Sequence, residues 1–172
     1  MTLLILSDSH GRADNILRAY ERNRQAAEIL FLGDGLNDVQ RVGFDGKVPI
    51  CVRGNCDAGG VFSFSDVPAE RILSFGEYNI LMLHGHNYGV KSSLERAIAR
   101  AAEKGADLLL YGHTHIRRDV YLPEGTEIGD VRLVKPLRVF NPGSIGSPRN
   151  GGYSFGLITI RSKDILTSHG EI

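Results

Sequence analysis

The chain has 172 residues, 42% of them hydrophobic, which suits a single domain over residues 1–172 with a full core and excludes a disordered chain. Lysine plus arginine (20) equals aspartate plus glutamate (20), so no global charge draws it toward nucleic acid or an anionic membrane. Two cysteines exclude a disulfide framework, no apolar run is long enough to span a bilayer, and residues 3–6 lack the length and basic start of a signal peptide, so a cytoplasmic, reduced protein is expected.

The apolar run at residues 3–6 reads as a buried strand that ends in Ser7-Asp8-Ser9-His10. Residues two apart on a strand share a side, so Asp8 and His10 can face one point. A helix is expected over residues 12–27, with Ile16, Leu17 and Tyr20 on one face and Asp14 as its cap. It leads to a second strand at 29–32, which makes a β-α-β unit with a parallel pair. That strand runs into Gly33-Asp34-Gly35. The third glycine of a dinucleotide fingerprint would fall on Asp38, which rules that motif out. Residues 36–46 are turn-rich with room for one short helix.

A third strand at 49–52 runs into Arg53-Gly54-Asn55-Cys56-Asp57. Residues 58–66 read as an irregular packed loop. Residues 71–75 and 78–83 form a hairpin about Gly76-Glu77, and its second strand ends in His84-Gly85-His86. A helix over 92–104 carries Leu94, Ile98 and Ala101 on one face, with Gly105 just past its end. A strand at 108–111 then runs into Gly112-His113-Thr114-His115. Antiparallel strands follow at 118–122, 131–134, 138–140 and 153–160. The order implies an α/β protein built as a mixed sheet, or two stacked sheets, with flanking helices.

Five apolar strands thus end in Asp, Asn or His, and five of the six histidines lie in those segments. Strand C-terminal ends in an open parallel sheet share one edge, where ligands bind. The inventory is Asp8, His10, Asp34, Asn55, His84, His113 and His115. Oxygen and imidazole donors without an obligatory thiolate suit zinc, manganese, iron or nickel and poorly suit calcium. Seven donors exceed one tetrahedral ion and match two ions sharing a carboxylate, the clamp used in phosphoryl transfer. Two divalent ions and two carboxylates leave a positive site for a phosphate anion in a neutral protein.

Asp-x-His, Gly-Asp, Gly-Asn-x-Asp, His-Gly-His and Gly-His-Thr-His, in this order, resemble the calcineurin-like metallophosphoesterases. The length and Asn141-Pro142-Gly143-Ser144 resemble their small bacterial and archaeal phosphodiesterase branch, the YfcE type. The resemblance runs from Asp8 to about Ser147. It implies a four-layer α/β/β/α sandwich of two mixed sheets flanked by helices. It implies a phosphodiesterase acting on a small phosphodiester, with two divalent ions per chain, manganese first and nickel, iron or zinc as alternatives. Asp8, His10 and His115 would hold one ion, Asn55, His84 and His113 the other, and Asp34 would bridge them. A bridging hydroxide would be the nucleophile, with Asn55, Asp57 and His84 at the catalytic centre. The Asn141 to Ser144 stretch is either a tight loop near the ions or a plain turn.

Many members of the superfamily carry a histidine after the Gly-Asn pair; here that place is Cys56. Asp57 is therefore expected to orient Asn55. Cys56, His86 and Arg149 are candidates for substrate contact. No arginine follows Cys56 at the spacing of a cysteine phosphatase. Arg53, Arg117 and Arg118 read as solvated, and the absence of an arginine cluster favours a diester over a dianionic monoester. Residues 117–136 read as an extended hairpin for dimer contact or substrate selection, leaving a homo-oligomer open. Alternatives of function are a phosphomonoesterase of the same fold and a non-catalytic scaffold like the retromer subunit.

Overall fold

The computed structural model describes residues 1–57, 64–162 and 164–172. The expected loop at 58–66 therefore lies mostly outside the described residues. Along the chain come β1 (Thr2–Leu6), α1 (Ala13–Arg22), β2 (Glu28–Phe31), α2 (Leu36–Gln40) and β3 (Ile50–Cys51). Then follow β4 (Glu70–Phe75), β5 (Tyr78–Leu83), a 3-10 turn at His86–Tyr88, α3 (Glu95–Glu103) and β6 (Leu108–Tyr111). The last third holds β7 (Arg117–Leu122), β8 (Glu127–Ile128), β9 (Val131–Arg132), β10 (Leu137–Pro142), β11 (Ser154–Arg161) and β12 (Asp164–Glu171).

The donor strands lie in two sheets rather than one. One sheet has the order β12-β11-β1-β2-β3, the other β4-β5-β6-β10-β7. Both are mixed: β1, β2 and β3 run parallel, as do β5, β6 and β10, while β11, β12, β4 and β7 pair antiparallel. Alternation along each strand explains the stacking. Leu3, Ile5, Leu30, Ile80, Met82, Leu108 and Leu110 point into a dry layer between the sheets. Leu4, Leu6, Ile29 and Phe31 point the other way, onto Ile16, Ala19 and Tyr20 of α1. Leu81, Leu83, Leu109 and Tyr111 meet Ala97, Ile98 and Ala101 of α3. Strands buried on both faces read as continuous apolar runs, which is why the sequence showed them plainly. The result is the α/β/β/α sandwich.

Several local expectations shift. Helix α1 stops at Arg22, Asp14 sits in its first turn rather than capping it, and Leu17 is left 38% exposed. Strand β7 pairs with β10, and only Glu127–Ile128 and Val131–Arg132 form a ribbon, so residues 117–136 are not one extended hairpin. Strand β12 escaped notice because an edge strand alternates between exposed and half-buried residues and needs few apolar ones. Among the described residues, no helix is long and apolar enough to cross a membrane.

One ion pair fastens α3 to the sheet below it. Glu70, at the start of β4, accepts hydrogen bonds from Arg100 Nε at 3.0 Å, from Arg100 Nη2 and from the Tyr88 hydroxyl. Arg100, then Tyr88, hold the Glu70 carboxyl below the usual carboxylate range against its partial burial. A depressed folded-state pKa stabilises the fold above the unfolded value and loses that contribution as pH falls through the folded one. Glu70→Gln should therefore cost about 1 kcal/mol at neutral pH and nothing once wild-type Glu70 is protonated. Urea midpoints of both proteins at neutral and strongly acidic pH check this; an equal gap at both would contradict it.

Candidate metal centre

Six strand ends meet at one edge of the sandwich. The loop after β1 carries Asp8 and His10, the loop after β2 carries Asp34, and the loop after β3 carries Asn55, Cys56 and Asp57. From the other sheet, β5 delivers His84 and His86, and β6 delivers His113 and His115. The sixth end, Asn141 to Ser144 at the close of β10, proves to be a brace. Asn141 donates to Gly112 O at 3.0 Å and Thr114 Oγ1 at 3.1 Å, and Ser144 donates to Asp8 O at 2.7 Å.

The loops turn abruptly. Among the described residues, non-glycine positions with left-handed φ are Asp8 (56°), His10 (44°), Asp34 (59°), Asp45 (50°), His113 (64°) and His115 (60°). All but Asp45 belong to the donor set. Each such residue costs on the order of 1 kcal/mol and persists only where surrounding structure enforces it. The enforcement is visible at Gly54, where an added Cβ would stand 2.1 Å from Asp34 Oδ1 and 2.5 Å from Asp34 N. At Gly33 (φ 97°) a Cβ would stand 2.5 Å from Gly54 N, so the two backbones touch where only glycine fits.

The donor atoms form two groups that share a neighbourhood. Asp8, His10 and His115 bring one ligand atom each within 4.8 Å of one another, and so do Asp34, His84 and His113. A third set, His10, Asp34 and Cys56, links the two. His84 Nδ1 lies 2.7 Å from Leu32 O, and a carbonyl can only accept, so Nδ1 carries a hydrogen and Nε2 is the nitrogen left to face the other donors. His115 is fixed the same way by Ser147 O at 2.6 Å, which leaves Nε2 at 3.2 Å from Asp8 Oδ1. Asp8 Oδ2 accepts from Ser7 Oγ (2.5 Å) and His113 N (3.0 Å), whereas Oδ1 is buried and makes no hydrogen bond. His84 Nε2 is likewise buried and unbonded, 3.3 Å from Asp34 Oδ2 and 4.0 Å from Asp8 Oδ1. Two buried polar atoms without hydrogen-bond partners, facing one another across 4.0 Å, call for a cation between them. The donor set fits divalent metal on this ground.

Electrostatics point the same way. Burial would raise the Asp34 carboxyl, but His84 and the Cys56 N–H (2.7 Å to Oδ1) hold it well below the usual carboxylate range. His84 resists burial and is raised by Asp34 and Asp8. Burial, then His84 and Lys91, push His113 down to about 4, so it stands neutral at pH 7 with a lone pair available. The Asp8 carboxylate, 3.2 Å from its Nε2, raises His115. Burial, then Asp34, push the Cys56 thiol up to about 11.

Among the described residues, Asp57 makes no hydrogen bond to Asn55 itself. Its carboxylate, 5% exposed, accepts main-chain N–H bonds from Asp34 and Gly54 (2.8 Å each) and from Gly35 and Leu36 (2.9 Å each). It clamps the Asp34 loop to the Asn55 loop. Asn55 is exposed and donates to Cys56 Sγ at 3.2 Å. His86 begins the 3-10 turn, and its Nδ1 is buried without a hydrogen-bond partner. Arg149 donates its N–H to His115 O at 3.0 Å and leaves its guanidinium exposed. Asp38 was missed: it accepts from Ser9 Oγ at 2.6 Å and Gly11 N at 2.8 Å and so shapes the Asp8–His10 turn. Its one signal was an acid on the buried side of the expected short helix. The expected absence of an arginine cluster does not hold: Arg118 and Arg149, with Lys91, far apart in sequence, line one cavity, so charge counting alone no longer favours a diester.

A family model described as the calcineurin-like phosphoesterase superfamily domain matches residues 1–163. The probable metallophosphoesterase YsnB of Bacillus subtilis is 33% identical over 150 residues, 87% of this chain and 78% of that protein. The phosphodiesterase YfcE of Escherichia coli K12 is 28% identical over 189 aligned positions, 97% of this chain and 90% of that one. A predicted phosphoesterase from Streptococcus pneumoniae superposes with a TM-score of 0.72 at 23% identity, covering 98% of this chain and 87% of that one.

Proposed function

The chain belongs to the calcineurin-like phosphoesterase superfamily, and from that premise we propose that it is a metal-dependent phosphodiesterase acting on small substrates. The reading rests on one observation: two triads of donors whose buried atoms Asp8 Oδ1 and His84 Nε2 face inward unbonded. Asp8, His10 and His115 would hold one divalent ion, and Asn55, His84 and His113 a second, with Asp34 shared. A mixed carboxylate and imidazole set suits manganese, nickel, iron or zinc, and the family resemblance puts manganese first. Such a pair supplies Lewis acidity toward phosphoryl oxygens and lowers the pKa of water. The two free cysteines fit a cytoplasmic setting, and residues 1–172 fit one domain.

The chain's own residues set the geometry for this chemistry. Leu32 O and Ser147 O fix His84 and His115 in the tautomer that presents Nε2. The Cys56 N–H occupies Asp34 Oδ1 and leaves Oδ2 directed at His84 and, 3.9 Å away, His10. Asn55 and Cys56 are exposed and the half-buried His86 ring lies 5.4 Å from His84, which makes these the candidates to bear on the leaving group. The scaffold alternative would tolerate loss of donors, and here all seven are in place. The test is turnover of bis-p-nitrophenyl phosphate against p-nitrophenyl phosphate with metals varied. Preference for the diester is expected; a clear preference for the monoester at equal metal loading would establish the phosphomonoesterase reading instead.

Position 56 controls which diesters turn over. A thiol with an intrinsic pKa of ~8.5 is a poorer general acid at neutral pH than an imidazole of ~6.5. Wild-type protein should cleave activated aryl esters well and alkyl diesters slowly. Cys56→His should gain most on the poorest leaving groups, by up to about 10²-fold. A Brønsted series over leaving groups of rising pKa measures it. A uniform loss with metal content intact would move the proton donor elsewhere, His86 being next in line.

A further inference from the structure

We propose that a basic cavity beside the donor atoms binds a second anionic group of the substrate, so that the preferred diester carries a further phosphate on its non-leaving arm. The proposal rests on the phosphodiesterase reading and names its substrate class. The cavity, of about 220 Å³, is lined by Lys91, Arg118 and Arg149 together with Tyr111, Thr114 and Ile116. No aspartate or glutamate lines it. It is smaller than the ~300–1,000 Å³ pockets that enclose whole small molecules, and so fits one group rather than an entire ligand.

The charges there are uncompensated. Arg100, Arg117, Lys135 and Arg138 each pair with a carboxylate. Among the described residues, the side chains of Lys91, Arg118 and Arg149 make no ion pair or hydrogen bond. Three unpaired cations around one hollow repel one another and favour an anion between them. Isolated surface cations are ordinarily just solvated; convergence on a single acid-free cavity is what sets these apart. A directional donor is present as well. Thr114 Oγ1 accepts from Asn141 Nδ2 (3.1 Å) and Ile116 N (3.3 Å), so its own proton is left to donate.

The cavity shares a wall with the metal centre. Thr114 stands between His113 and His115, and the Arg149 N–H holds His115 O at 3.0 Å. A phosphoryl group at the donor atoms and a phosphate in the cavity can therefore belong to one molecule. A monoester without a second anionic group, such as p-nitrophenyl phosphate, would reach only one of the two places.

The test uses the metal-loaded full chain and two matched p-nitrophenyl phosphodiesters, whose propyl arm ends in a hydroxyl or in a phosphate. Wild type should favour the phosphate-bearing diester in kcat/KM by at least about tenfold, through KM. In Lys91→Gln/Arg118→Gln, both exposed positions, that ratio should fall toward one. Equal kcat/KM for the pair in wild type would overturn the subsite and leave the phosphodiesterase reading standing. If neither diester turned over, that reading would fall, and calorimetry would still decide the subsite. Inorganic phosphate titrated into wild type should fill one more site per chain than in the double variant; equal numbers would overturn it. An unchanged thermal midpoint shows that the variant folds.

Discussion

Asp34→Ala is expected to lose both metal ions and at least about 10³-fold in kcat/KM, the largest effect of any single change in this protein. The carboxylate stands between the two halves of the site. Its Oδ2 lies 3.3 Å from His84 Nε2 and 3.9 Å from His10 Nε2, and Asp34 is common to two of the three donor groups. His10→Ala removes one member of one side and leaves Asp34, His84 and His113 intact, so it should weaken one ion selectively. Asp34→Asn keeps an acceptor for the Cys56 N–H and separates charge from loop geometry. Elemental analysis after remetallation, with kinetics on the same samples, gives the answer. A wild-type stoichiometry of about one ion per chain at saturating metal would refute the shared carboxylate.

The second large effect falls on a residue that need never touch substrate. Asp57→Ala should destabilise the protein by about 3–5 kcal/mol, because four main-chain N–H groups lose their acceptor at a 5% exposed position. Water reaching the loop would recover part of this. Asp57→Asn retains one acceptor oxygen and should cost roughly half as much. Urea unfolding measures the loss, and metal affinity should fall with it, since Asp34 N and Gly54 N are two of the four donors. A loss below about 1 kcal/mol would show that the loops hold themselves.

The donor set was readable because each donor stands just past an apolar run, and a strand buried on both faces leaves an unmistakable run. Where such strands end, Asp34 and His84 are the first polar side chains the chain meets, and Asp8 follows Ser7. The apolar runs alone left one sheet or two open, because β1 and β5 carry the same apolar signature whichever sheet they join; the family resemblance implied two, and two are found. Nor did it show the left-handed backbone at Asp8, His10, Asp34, His113 and His115, since aspartate and histidine advertise chemistry and not φ. Asp57 looked like a partner for its near neighbour Asn55, yet its N–H donors come mainly from a loop 21 to 23 residues away. Arg118, Arg149 and Lys91 meet only after the β6 to β7 connection and the loop after β10 have folded, which no local pattern encodes.

The meeting of two sheets at one row of loops has a consequence for chain topology. His10 leaves the first sheet and His115 the second, 105 residues apart in the chain, yet their Nε2 atoms are 3.2 Å apart. A bound ion gripping both therefore acts as a removable crosslink closing a very long loop. In the loop-closure picture such a link restricts the unfolded chain by about 4–5 kcal/mol, an upper bound when the unfolded chain can itself bind metal. Chelation should then do more than silence a catalyst: it should cut the staple between two halves of a sandwich and lower the force at which they part.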